Sequence, residues 1–200
     1  MRNKYPIYIV SKGRHDDKSR LTAQALERMG ILYYIVVEES EYDLYKAACD
    51  PQLSRVLALD RMYQINYDAF DDLGMTKSKG PGPARNFAWE HALSRGYPSY
   101  WVMDDNISAF FRLNRNLKIA VESSVFFRIM EDFCDRYTNV AMAGPNYDFF
   151  AKRKQLIPPY ILNTRIYSCN LIRTKLNYRW RGRYNEDTDL SLRMLKDGLC

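Results

Sequence analysis

Ile31-Leu-Tyr-Tyr-Ile-Val-Val37 is the longest uninterrupted apolar run in the chain, and Glu38 and Glu39 follow it at once. A short run rich in β-branched and aromatic residues, without polar alternation, suits a strand buried on both faces, as parallel strands are. Upstream, Leu21, Ala25 and Met29 recur at helical spacing and Gly30 supplies a stop, which predicts a helix from Leu21. Before that helix, Tyr5–Val10 reads as a strand entering the polar loop Ser11–Lys18. Downstream, Tyr42–Cys49 reads as a short helix and Arg55–Leu59 as another strand. This alternation of strand and helix predicts an α/β sandwich with a mostly parallel central sheet.

The remainder continues the pattern. Met62–Lys79 is polar and irregular and leads to the breaker cluster Gly80-Pro81-Gly82-Pro83. A helix starts near Ala84, with Phe87, Ala88, His91 and Ala92 on one face, and Gly96-Tyr97-Pro98 ends it. Tyr100–Met103 is a short strand stopping at Asp104-Asp105-Asn106. Phe126, Ile129, Met130, Phe133 and Tyr137 form a helical stripe, Val140–Ala143 a strand, and Lys152–Pro159 a loop. Arg165–Ile172 reads as a further strand and Asp187–Lys196 as a closing helix.

Two hundred residues that are 46% hydrophobic and 27% charged fit a single domain spanning 1–200 and exclude a wholly disordered chain. Seven apolar residues in a row fall far short of the ~18 a membrane span needs. The start MRNKYPIYIV has no apolar segment ending in a small-residue cleavage site, so a cytoplasmic protein without membrane partners is expected. The four cysteines are scattered, with no CxxC, and two histidines are too few to complete a zinc site with them. Idle thiols in a reducing compartment are expected.

The net charge of +6 is unevenly placed: Arg112–Arg183 holds 14 Lys and Arg against five acids, so the rest of the chain is slightly acidic. A basic stretch of this kind points to a polyanion, nucleic acid first, with a solvated basic face as the alternative.

Three segments carry the chemistry. In Tyr100-Trp-Val-Met-Asp-Asp-Asn106, acids stand at the end of a buried strand, where open α/β sheets bind ligands. They offer hard oxygen donors to Mg²⁺ or Mn²⁺, although Asp and Asn are also ordinary turn residues. In Lys79-Gly-Pro-Gly-Pro-Ala-Arg85-Asn86, glycines would let backbone approach a ligand at a helix N-terminus, with Lys79 and Arg85 adding charge. The segment is neither GxxxxGK[ST] nor GxGxxG, which weighs against ATPase and dehydrogenase functions. In Tyr184-Asn-Glu-Asp-Thr-Asp-Leu190, carboxylates open a helix, where they complement its dipole or serve as a general base. Local sequence does not separate Asp187 from its neighbours. Neither His15 nor His91 is assigned a role.

In this order the segments resemble a GT-A-type glycosyltransferase, with Asp104-Asp105-Asn106 in place of the DXD metal motif and Glu186-Asp187 in place of the catalytic pair. Tyr5-Pro-Ile-Tyr-Ile-Val-Ser-Lys-Gly-Arg14, Val37-Glu-Glu-Ser-Glu-Tyr42 and Met103-Asp-Asp-Asn-Ile107 resemble the phage TET-associated glycosyltransferases, which glycosylate 5-hydroxymethylated pyrimidines in DNA. The resemblance implies a GT-A-like αβα sandwich and hexosyl or N-acetylhexosaminyl transfer from a nucleotide-sugar, a UDP-sugar first. A phage-encoded member would act in the host cytoplasm. It implies that Val10, Ser11, Lys12, Arg14 and Glu38 hold the nucleotide, and that Lys79, Arg85 and Asn86 meet the diphosphate or sugar. Asp104 and Asn106 would ligate Mn²⁺ or Mg²⁺, Asp105 would touch the sugar or ribose, and Asp187 would be the base with Glu186 orienting a substrate. Asn106 departs from the family's acid. The chain stops at Cys200, short of a further strand or helix that such enzymes commonly carry, so a piece of a longer protein is expected.

Two rivals remain at this level. One keeps the chemistry with a polysaccharide, lipid or protein acceptor. The other is a non-catalytic nucleic-acid-binding domain or a metal-dependent nuclease, which would want a lysine or histidine beside paired acids.

Overall fold

The computed structural model describes residues 3–154 and 157–200, so part of the expected Lys152–Pro159 loop lies outside the described residues. In chain order the elements are β1 (Ile7–Val10), α1 (Leu21–Arg28), β2 (Tyr33–Val37), α2 (Tyr42–Ala48), β3 (Ser54–Ala58), α3 (Arg61–Ile65) and α4 (Gly82–Ser94). There follow β4 (Ser99–Asp104), β5 (Phe111–Asn114), β6 (Leu117–Ala120), α5 (Val125–Cys134), β7 (Met142–Ala143), β8 (Cys169–Arg173) and α6 (Glu186–Lys196).

One sheet holds six strands in the order β3-β2-β1-β4-β8-β7. β3, β2, β1 and β4 are parallel, with Tyr8 opposite both Tyr34 and Val102, while β8 runs antiparallel to β4 and to β7. The period-2 alternation of side chains divides the core into two layers. Ile7, Ile9, Ile35, Trp101 and Met103 pack with Leu26 of α1, Tyr45 of α2 and Phe127 of α5. Tyr8, Val10, Val36, Tyr100 and Val102 pack with Ala88 and Trp89 of α4 and with Leu190 and Met194 of α6. Because both faces are covered, β1 and β2 are apolar almost throughout, as the 31–37 run requires. No helix among the described residues is long and apolar enough to cross a membrane.

The departures from the sequence expectation have local causes. α3 lies inside the stretch expected to be irregular; it is only five residues long, capped by Asp60, whose side chain accepts from Met62 N at 2.8 Å. The β5–β6 hairpin turns on Arg115 and Asn116, both at positive φ, where Asn-Gly is the usual signal. β8 begins four residues after Arg165, because Ser168 adopts a left-handed φ of 60° and breaks the extended run. Cys49, Cys134, Cys169 and Cys200 are all free thiols. His91 packs beneath the sheet, its Nδ1 2.7 Å from Tyr8 Oη.

Candidate active site

β1→β2→β3 steps outward in one direction and β4 lies on the other side of β1, so the strand order reverses between β1 and β4. Ligands of open α/β sheets bind outside the carboxyl ends of the strands at such a reversal. A pocket of about 890 Å³ lies there, within the roughly 300–1,000 Å³ of small-molecule sites. Val10 and Ser11 after β1, Glu38 after β2, Asp104, Asp105 and Asn106 at the end of β4, and Glu186 and Asp187 at the start of α6 all line it. Lys12, Arg14, Lys79 and Arg85 line it too. Asn86 does not: its amide is paired with the backbone of Trp180, Nδ2 donating to the carbonyl at 2.9 Å and Oδ1 accepting from the N–H at 2.8 Å. Asn86 fixes the 180–183 segment against α4 instead.

Arg85 is the hub of the site. It stands one turn into α4 and is only 2% exposed. Nη1 donates to Glu186 Oε1 at 2.9 Å and to Asp187 Oδ1 at 2.6 Å, and Nη2 donates to Asp104 Oδ1 at 2.6 Å. The guanidinium also lies 4.7 Å over the Trp180 ring. Burial opposes its charge, but Asp104, Asp187 and Glu186 outweigh that and raise its pKa above the ordinary arginine value. The sequence expected Arg85 to reach a diphosphate or sugar; its fork is turned into the protein, where it gathers carboxylates from two distant segments.

Asp187 gains the properties a base needs. Burial pushes its pKa up to about 6, helped by Asp104 and Glu186, while Arg85 and a backbone hydrogen bond from Ser168 hold it down. Asn170 Nδ2 approaches Asp187 Oδ1 at 3.4 Å. Asn185, at φ 55°, turns the chain so that Glu186 and Asp187 open α6 facing the pocket. Asp189 is separated from them: Arg181 and Arg193 hold it at 3.1 and 2.8 Å, and it does not line the pocket.

Asp105 is clamped by Ser11 Oγ at 2.7 Å and Arg14 Nη1 at 2.8 Å, and Lys12 pairs with Glu38 at 2.6 Å. Lys79 Nζ donates to the carbonyls of Tyr67 and Ile65 at 2.9 and 3.2 Å. The neighbouring glycines serve the protein rather than a ligand. A Cβ on Gly82 would stand 1.9 Å from Tyr67 Oη, and one on Gly80 3.0 Å from the Arg183 carbonyl.

Local sequence does not mark the groups that hold the Asp104–Asn106 turn. Thr22 Oγ1 donates to the Asp104 carbonyl at 2.6 Å and accepts from Ile107 N at 2.8 Å. Ser168 Oγ donates to Asp104 Oδ2 at 2.6 Å, and its carbonyl accepts from Asp104 N at 2.8 Å. Both come from far along the chain, so only the pairing of β4 with β8 and the packing of α1 reveal them. Arg61, Gln64, Lys77, Tyr147, Arg165 and Tyr167 also line the pocket.

The expected metal ligands do not fit a resident divalent cation as they stand. A cation of that kind needs its oxygens around one point at about 2.1–2.6 Å. Here the carboxylates of Asp104, Glu186 and Asp187 are spread along the edges of a planar guanidinium, and Asn106 is an exposed neutral amide. Among the described residues no group of three or more His, Cys, Asp or Glu is placed to hold a metal. No step below is routed through one.

The family model described as TET-Associated Glycosyltransferase matches residues 5–200, and no curated protein matches the chain. The match takes in every segment that meets at the pocket, from the end of β1 to the start of α6. The chain belongs to the TET-associated glycosyltransferase family, enzymes that move a sugar from a nucleotide-sugar donor to an acceptor.

Proposed function

We propose that this glycosyltransferase has the GT-A architecture and transfers a sugar from a nucleotide-sugar to the 5-hydroxymethyl group of pyrimidines in DNA. The observation that carries the chemistry is Asp187, a buried carboxylate on the pocket wall with a pKa raised to about 6. Ser11, Lys12, Arg14 and Glu38, with Val10 beneath, receive the nucleotide at the ends of β1 and β2, and Asp105 meets its ribose or sugar. Lys79 approaches the diphosphate. The acceptor hydroxyl gives its proton to Asp187 as its oxygen bonds to the anomeric carbon. The bond from that carbon to the diphosphate breaks, and its electron pair leaves with the nucleoside diphosphate.

The acceptor reading is supported beside the pocket. Phe149 is 88% exposed, Phe150 is exposed next to it, and Lys152, Arg153 and Lys154 follow. Among the described residues no ion pair holds these three cations, whereas Arg128, Arg179, Arg181 and Arg183 of the same basic stretch are each paired with an acid. Exposed aromatics followed closely by cations without an acid partner suit nucleobases and phosphates. A hydroxymethylated base must leave the stack to reach Asp187, so single-stranded or mismatched sites should react faster than a perfect duplex.

Nucleosides from hydroxymethylated DNA, incubated with the enzyme and a mixed nucleotide-sugar pool, should gain the mass of one sugar. Donor consumption with unaltered nucleosides would move the acceptor to a polysaccharide, lipid or protein. DNA affinity should fall steeply with salt, and Lys152→Glu, Arg153→Glu, Lys154→Glu together should flatten the log–log slope by about 0.9 for each phosphate that is no longer neutralised. An unchanged slope would exclude this loop from the DNA interface.

The pH dependence follows from Asp187. Only its ionised form accepts a proton, so kcat/KM should fall about tenfold per pH unit below a midpoint near 6. A rate that is flat from pH about 5 to 8 would remove Asp187 from the role.

A further inference from the structure

We propose that the donor diphosphate is met by lysine and arginine side chains alone, and that this site works without a divalent metal. This rests on the nucleotide-sugar reading above. A metal in such a site has two tasks: it holds the acidic turn in place, and it offsets the charge that develops on the leaving diphosphate. Arg85 already performs the first. Its guanidinium donates to Asp104, Glu186 and Asp187, each within 2.9 Å, so one oxygen of each carboxylate already faces a cation, and Asp104 Oδ2 accepts from Ser168 Oγ. Held by three carboxylates and stacked on the Trp180 ring, the guanidinium is fixed in place and, unlike a metal, donates hydrogen bonds rather than coordinating an oxygen.

The second task falls to cations on the opposite wall. Lys79 uses two of its three N–H donors on the Tyr67 and Ile65 carbonyls, which fixes the ammonium and leaves one donor for a ligand. Arg165 lies 5.2 Å over the Tyr167 ring, and Lys77 is exposed; among the described residues no carboxylate pairs with Lys77, Lys79 or Arg165. The charge balance agrees. The pocket is lined by seven cationic residues (Lys12, Arg14, Arg61, Lys77, Lys79, Arg85, Arg165) and five acids (Glu38, Asp104, Asp105, Glu186, Asp187). The surplus of two positive charges matches the two negative charges of a nucleotide-sugar diphosphate.

Calorimetric titration of the wild-type protein with UDP, GDP, CDP and dTDP, in excess EDTA and again in excess MnCl₂, tests this. At least one nucleoside diphosphate should bind in EDTA with an affinity that Mn²⁺ changes by less than about twofold, and Lys79→Met should weaken it in EDTA by about tenfold or more, the worth of a charged hydrogen bond. Binding seen only with Mn²⁺, or tightened tenfold by it, would overturn the proposal and leave the donor reading intact. Unchanged affinity in Lys79→Met would overturn the assignment of the diphosphate to that wall. Binding of no nucleoside diphosphate under either condition would overturn the donor reading and this proposal together.

Discussion

Asp187→Asn should keep the chain folded and able to bind donor, yet lower kcat by about 10²–10⁴-fold, the usual contribution of a positioned general base. In the proposed reaction the acceptor hydroxyl is a poor nucleophile until its proton leaves, and an amide does not take that proton. Structure should survive the change. The amide oxygen still accepts from Arg85, and the α6 entry rests on Asn185 and on Ser191, whose hydroxyl donates to the Asp187 carbonyl at 2.8 Å. The sign of the linkage agrees. A carboxylate whose folded pKa is raised from 3.8 to about 6 favours the fold when protonated, and that contribution is lost as pH rises through about 6. At neutral pH its charge is therefore tolerated by the fold, not needed by it.

Steady-state kinetics on hydroxymethylated DNA decides the matter. A large fall in kcat with KM near the wild-type value, and loss of the acidic limb near pH 6, support the base. Near-normal turnover would transfer the role to Glu186, which shares Nη1 of Arg85, or point to a retaining reaction that uses no protein base. Asp189→Asn is the natural control. Its carboxylate faces Arg181 and Arg193 rather than the pocket, so turnover should stay within a few-fold of wild type.

Much of this arrangement was legible in the sequence. Covered strands are apolar on both faces, so the 31–37 run revealed a parallel sheet, and the order of the acidic and Gly-Pro segments located the pocket. Single-residue roles were less legible, because each depends on contacts between remote segments. Arg85 meets Glu186 and Asp187 across 101 and 102 residues, and Ser168 meets Asp104 across 64. From local sequence, Arg85 and Asn86 are neighbouring polar residues at a helix start. In space one enters the carboxylate cluster and the other the Trp180 backbone, because successive residues on a helix point about 100° apart. The glycines of 80–82 illustrate the same limit: their lack of a side chain is required, but the close neighbours are Tyr67 and Arg183. The short helix α3 and the β5–β6 hairpin leave no periodic signal in the sequence, since neither buries an apolar face.

Arg85→Met should destabilise the protein by about 3–5 kcal/mol, the range for removing one partner from a buried ion cluster. The methionine fills much of the volume under Trp180, so the loss reports charge more than cavity. Three carboxylates would then face one another without a cation between them. The pKa of Asp187, already raised to about 6, should rise further, since Arg85 is among the groups that hold it down. Groups with raised folded pKa values favour the fold below their unfolded pKa and cease to do so as pH rises through the folded one. The deficit of Arg85→Met should accordingly be larger at pH about 8 than at pH about 5, the reverse of a variant that merely loses packing. Arg85→Lys should recover only part of it. An ammonium is a point charge without the planar fork that reaches Glu186 and Asp187 through one nitrogen and Asp104 through the other. Urea unfolding at the two pH values measures both, read as a shift in midpoint at constant slope. A deficit that does not change with pH would mean that the role of Arg85 is to pack against Trp180 rather than to hold the acids of the site together.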